Sequence, residues 1–266
     1  MIDDFYAMSL DLNTVLKDWP HEPGMIKVRK VTGLDGRDKL QLRIDLGVLQ
    51  MEMTGRPDGL RPHGCDSLLS YHQNRAQLAE ASGDDYELSP EDCSELQQEG
   101  IQYYHRYVSL FQLSDYAGVI RDTQRNLDLF SFVDEHSQRE EIVWNFQQFR
   151  PYVLMMNTRA KASLLLHEGK FADAMHEIER GRDTIIEFFQ QSNFPELATK
   201  SSEVAFLEEW LEEVSAKRPL SKLEIMQREM ESAIASELYE RAAELRDAIN
   251  LLKTQKPAQS SRGSRE

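Results

Sequence analysis

Ser89-Pro90-Glu91-Asp92-Cys93-Ser94-Glu95-Leu96 has the chemistry of a helix start. A hydroxyl stands at the N-cap, a proline in the first turn, and two carboxylates face the positive end of the helix dipole. Downstream, apolar residues recur at helical spacing to about Lys253. Breaks fall near Ser114-Asp115, Asp134, Glu168-Gly169, residues 192–195, Arg218-Pro219 and Glu237. Upstream, the pattern is that of strands. The prediction is an α+β chain, mainly α, with a small antiparallel β N-terminal part, a helical body and a C-terminal helical hairpin. It divides into a β-containing region (1–88), a body (89–217), a hairpin (218–254) and a polar tail (255–266) expected to be disordered.

Residues 26–31 read as a strand, and Gly33-Leu34-Asp35-Gly36 as a hairpin turn. Leu40, Leu42, Ile44 and Leu46 then alternate with Gln41, Arg43 and Asp45. After Gly47 the apolar set changes parity to Leu49, Met51 and Met53. A bulge or bend at the glycine is expected to keep one face buried. Turn formers end the sheet, in Gly55-Arg56-Pro57-Asp58-Gly59 and Arg61-Pro62-His63-Gly64. Arg56, Asp58, Arg61 and His63 form a candidate anion or ligand site, a backbone cradle backed by guanidinium groups. A structured turn explains the same residues, and the Lys-Ser/Thr of a nucleotide P-loop is missing. Residues 66–81 fit a short helix with Leu68, Leu69, Tyr71 and Leu78 on its apolar side.

In the body, Leu164-Leu165-Leu166-His167-Glu168-Gly169-Lys170-Phe171-Ala172-Asp173-Ala174-Met175, with Ala162, Ile178 and Gly181, pairs a glycine turn with small residues where helices approach closely. This stretch resembles the turn and second helix of a tetratricopeptide repeat, which implies a tetratricopeptide-like helical body. A second stretch, residues 107–127, has Val119 and Asn126 at the small positions and fits less well. A generic helical bundle gives the same pattern. The many aromatics between Tyr103 and Phe189 suit either a core or a groove that grips a peptide.

Near the C-terminus, Leu223, Met226, Met230, Ala233 and Ile234 fall on one helical stripe. After a turn near residues 236–238, Ala242, Leu245, Ile249 and Leu252 form another. Two helices this short bury too little to stand alone, so the seam needs its own chain or a partner. The pattern Tyr239-Glu240-Arg241-Ala242-Ala243-Glu244-Leu245-Arg246-Asp247, with Ile249 beyond and the upstream Met and Ala residues, resembles the UVR motif of UvrB and UvrC. Related copies occur in ClpC ATPases and McsA-type activators. Tyr239 stands where phenylalanine is usual and Gln227 where glutamate is common. The resemblance implies pairing of the hairpin with another protein: a UvrB/UvrC-like repair protein, a Clp-type machine, or a second copy of the chain. The implied contact set is Leu223, Met226, Met230, Ala233, Tyr239, Ala242, Ala243, Leu245, Arg246, Asp247 and Ile249. Packing of the hairpin onto the preceding helix, residues 204–214, is the competing reading.

No sequence motif for a catalytic serine elbow, a zinc protease or a dinucleotide fold is present. The ATP motifs of UvrB, the nuclease signatures of UvrC and the cysteine pairs of McsA are missing too. Cys65 and Cys93 have no close partner cysteine, so no metal is expected even with His63 and His72 in view. No cofactor and no catalytic residue are predicted. The expected role is a non-enzymatic adaptor; the alternative is an enzyme or small-ligand binder around Arg56–Cys65, recruited by the hairpin. The start MIDDFYAMSL lacks a signal peptide's basic and apolar regions, no run is long enough for a membrane span, and the cysteines are few. A cytoplasmic location follows as the expectation. The chain carries a formal charge of −15, while residues 220–253 hold five basic and seven acidic side chains and residues 254–266 three and one. The acidity thus belongs to the first 219 residues, which should repel DNA.

Overall fold

The computed structural model describes residues 12–192, 195–220 and 222–254. The predicted tail lies outside the described residues. Two compact units divide the chain, Met1–Val214 and Ser215–Glu266.

The first unit opens with a single helical turn, α1 (Asn13–Leu16), and three strands, β1 (Val28–Thr32), β2 (Asp38–Ile44) and β3 (Gly47–Glu52). They form one antiparallel sheet in sequence order. The parity change at Gly47 needs no bulge. Ile44 pairs with Gly47 across a two-residue turn, so Leu42 faces Leu49 and Leu40 faces Met51. An antiparallel register closed by two residues always sets even positions against odd ones, which keeps one face apolar. Leu46, expected on that face, sits in the turn and is exposed.

β2 is covered on both sides: Lys39 and Gln41 are as buried as Leu40 and Leu42. On the polar side Lys39 bonds Glu52 and Asp35, and Gln41 bonds Arg29 and Gln50. The N-terminal segment closes this side. Arg29 lies 4.1 Å over the Trp19 ring and donates to the Val15 carbonyl.

Among the described residues, seven α-helices follow the sheet: α2 (Leu68–Ser82), α3 (Pro90–Gln112), α4 (Tyr116–His136), α5 (Glu140–Gln147), α6 (Arg150–His167), α7 (Phe171–Gln191) and α8 (Ser202–Lys217). The predicted start of α3 is a full capping box between Ser89 and Asp92. α4 runs past Asp134 to His136. A break not anticipated from the pattern separates α5 from α6. Pro151, in the first turn of α6, has no N–H to bond the Gln147 carbonyl, so the helix restarts there. On α2, Leu78 points to solvent, leaving Leu68, Leu69 and His72 as the buried set.

The sheet and the helical body, distinct in sequence character, share one core: Leu40, Leu42 and Met51 join Tyr107, Leu110, Met155, Ile178, Ile185 and Leu207. Burying apolar side chains from both parts in one cluster couples their stability. The α6–α7 hairpin turns at Gly169, whose φ of +72° suits glycine. At Gly181 the helices approach so closely that a Cβ would lie 2.1 Å from Thr158 Oγ1. Of the aromatics, Tyr103, Tyr107, Phe130, Phe132, Phe146 and Phe189 are core, whereas Tyr104, Trp144 and Phe149 are exposed. No described helix is long and apolar enough to cross a membrane.

Candidate functional site

The second unit contains α9 (Lys222–Ala235) and α10 (Tyr239–Thr254), packed on each other. Arg218 pairs with Glu224 in the first turn of α9. At the other end the chain reverses through Glu237, whose φ of +59° puts a side chain in the left-handed region. The turn is closed by Glu237 N–H donating to the Ile234 carbonyl at 3.0 Å and Leu238 N–H to the Ala233 carbonyl at 2.8 Å. These bonds satisfy two carbonyls that the end of α9 would leave open.

The candidate contact residues separate into three groups. Ala233, Ala242, Leu245 and Ile249 are buried. Leu223, Met226, Met230 and Ala243 are half-buried. Tyr239, 67% exposed, stands out at the turn with Ile234 and Leu238, while Arg246 and Asp247 pair with each other on the surface at 2.9 Å. Ile225 and Leu251 add to the exposed apolar side chains. The stripe therefore has two jobs: its small and branched members hold the hairpin together, and its rim offers apolar groups to water. Leu238 escaped the sequence reading, although an apolar residue inside a turn is the signal that would have marked it.

Residues 221–255 match a family model described as the UvrB/uvrC motif. The C-terminal segment is a UVR module. No curated protein and no solved structure shows significant similarity to the chain.

Of the four residues of the turn-rich segment, Arg56 and Asp58 pair at 3.4 Å, while Arg61 and His63 turn to other partners. Arg56, little exposed, turns inward and pairs with Glu99 at 3.0 Å. Asp58 accepts from the Leu60 N–H at 2.9 Å and from Gln102 at 3.2 Å. Arg61 pairs outward with Asp66 at 2.7 Å. His63 stacks on Tyr71 with ring centres 4.1 Å apart. A cavity of about 540 Å³ beside the sheet takes in Arg56 and Arg61 but neither Asp58 nor His63. Each cation on its wall already holds a carboxylate, Lys30 with Asp38, Arg37 with Asp35, Arg56 with Glu99 and Arg61 with Asp66. Such pairs leave little uncompensated charge for an anion.

Arg56 belongs instead to a buried ion cluster that sequence reasoning missed. Glu99 is fully buried; its carboxylate accepts from the Leu68 and Leu69 N–H groups at 2.8 and 3.2 Å and pairs with Arg56 and Arg125. It caps α2 from α3. Arg106, also fully buried, forms a two-pronged pair with Asp122 at 2.6 and 2.8 Å and donates to the Glu52 carbonyl at 3.1 Å. Charged residues on otherwise apolar helical stripes were the signal for both. Among the described residues, no group of three or more His, Cys, Asp or Glu is placed to hold a metal. Cys93 is buried, and that burial pushes its thiol up. His72, packed 2.6 Å from the Tyr86 hydroxyl, is pushed down by burial.

Proposed function

We propose that the chain is a non-enzymatic cytoplasmic adaptor whose C-terminal UVR hairpin binds a protein partner. The match of residues 221–255 to the UvrB/uvrC motif carries this reading. The exposed apolar groups at the hairpin turn support it, because an aromatic anchor beside aliphatic neighbours is the composition of an interface centre. The partner belongs to nucleotide excision repair (UvrB- or UvrC-like), to Clp- or arginine-kinase-type protein quality control, or is a second copy of this chain. In the proposed contact Tyr239, Ile234 and Leu238 insert into the partner, and Arg246 and Asp247 set register. Helices 89–217, read as tetratricopeptide-like, serve as the platform.

The test is co-purification from cells, comparing the full chain with a Tyr239→Asp variant. Tyr239 is exposed, so the substitution should leave the hairpin folded and reduce capture at least tenfold. Capture that survives it refutes the assigned anchor. The identity of the lost protein tells repair from proteolytic machinery, and size-exclusion mass measurement detects the second copy. Direct DNA binding is not part of the proposal; near 100 mM salt the acidic chain should not retain duplex DNA in a filter assay.

A further inference from the structure

Within the first unit, α3 to α6 and the start of α8 surround a cavity of about 630 Å³. Its walls are unusually aromatic, with Tyr104, Tyr107, Phe146, Phe149 and Tyr152 among them. Tyr104 meets Tyr107 edge-to-face, ring centres 5.6 Å apart, and Tyr152 at 6.2 Å. Two of these rings are open to water, Tyr104 at 41% and Phe149 at 51%. Exposed rings around a concave site are the mark of a surface built for a ligand.

Side-chain amides of Gln97, Asn126, Asn145 and Gln148 also line the cavity; Asn126 donates to the Gly100 carbonyl at 3.0 Å, and Glu203 accepts from the Ser201 hydroxyl at 2.8 Å. Tyr107 is 1% exposed. Burial pushes the His105 imidazole down, toward the neutral form. No lysine or arginine lines the cavity, and its single charged side chain is Glu203. Burial first, then the Tyr152 and Tyr104 hydroxyls, pushes the Tyr107 phenol up. For Tyr152 burial again leads, followed by Tyr104, and Glu203 pushes the same way. The walls therefore present neutral rings, phenol oxygens, side-chain amides and one carboxylate.

We propose that this cavity binds a small organic cation, an ammonium bearing apolar substituents, with the tyrosine faces around the charge and Glu203 as its counter-ion. Ring faces carry the negative part of the aromatic quadrupole and attract a cation, most strongly when it is shielded from water. Glu203 supplies the opposite charge. An anion would meet a carboxylate with no basic residue to offset it. A neutral apolar molecule would bury that carboxylate without compensation. The −15 charge of the chain draws cations toward it as well. The volume suits a compact molecule.

Calorimetric titration of the full chain with hexyltrimethylammonium, hexan-1-ol and hexanoate separates these cases, since the three share one tail and differ in charge. The cation should bind one per chain and roughly tenfold or more tighter than the alcohol, with hexanoate weakest. Glu203→Gln keeps the shape and should weaken the cation about three- to tenfold without weakening the alcohol. Tyr104→Leu should lower cation affinity by a similar factor. Equal binding of alcohol and cation, preference for hexanoate, binding unaltered in Glu203→Gln, or no binding of any probe overturns the proposal. The titration reads no protein partner, so its failure and that of the adaptor reading are separate results.

Discussion

Glu99 lies on a helical stripe whose neighbours Leu96 and Tyr103 are core residues. Its two oxygens serve the start of α2 and two arginines at once. Removing one partner of a buried ion cluster leaves the others uncompensated, at about 3–5 kcal/mol. Glu99→Ala should therefore lower the unfolding free energy by that amount, read from the shifted midpoint of chemical unfolding, and release the Arg56 loop to rapid hydrogen exchange. Gly181 is the second sensitive position. A Cβ there collides with the branched Thr158, and forced overpacking costs about 1–3 kcal/mol. Gly181→Ala should lower the melting temperature by several degrees; an unchanged melt would mean that α6 and α7 are not this close. His72 adds a pH dependence. Burial holds its folded-state pKa below the ordinary 6.5, so the unfolded chain binds the proton more readily. Its contribution is present above pH 6.5 and is lost as pH falls from there through the folded value. A His72→Asn variant should lose less stability than the wild type between neutral pH and about pH 5, measured by urea unfolding.

At the scale of elements, the hairpin of α9 and α10 closes through Glu237 in the left-handed region. That conformation costs a residue with a Cβ on the order of 1 kcal/mol, which glycine escapes. Glu237→Gly should slow hydrogen exchange across the hairpin, because closing it becomes easier; faster exchange would show that the turn is held by something else. Leu245 is buried within the same module. Leu245→Asp should melt the hairpin, seen as loss of about two short helices by circular dichroism, where Tyr239→Asp should not. The pair of variants separates folding from recognition. Strand alternation, the Ser89 N-cap and the Gly169 turn were all readable, since each rests on local spacing or backbone chemistry. The two-residue closure after Ile44 was not, because parity alone fits a bulge equally well. The break before α6 was written in Pro151, a residue whose missing N–H acts four positions upstream.

For the whole molecule, the amino-acid sequence by itself determined the class, a small antiparallel sheet ahead of a helical body and a terminal UVR hairpin. Period, capping and a contiguous motif are properties of neighbouring residues, so they survive without knowledge of the fold. It also determined where the acidity lies, since charge counts need no coordinates. Tertiary structure alone decided that the sheet shares the helical core, that Arg56 answers to Glu99, and that Arg61 and His63 face elsewhere. It likewise decided which hairpin residues are hidden and which remain for a partner, and it assembled an aromatic cavity from helices far apart in the chain. Those outcomes depend on which distant side chains meet. Burial and ion pairing are set by distance in space, and one-dimensional spacing carries no record of it.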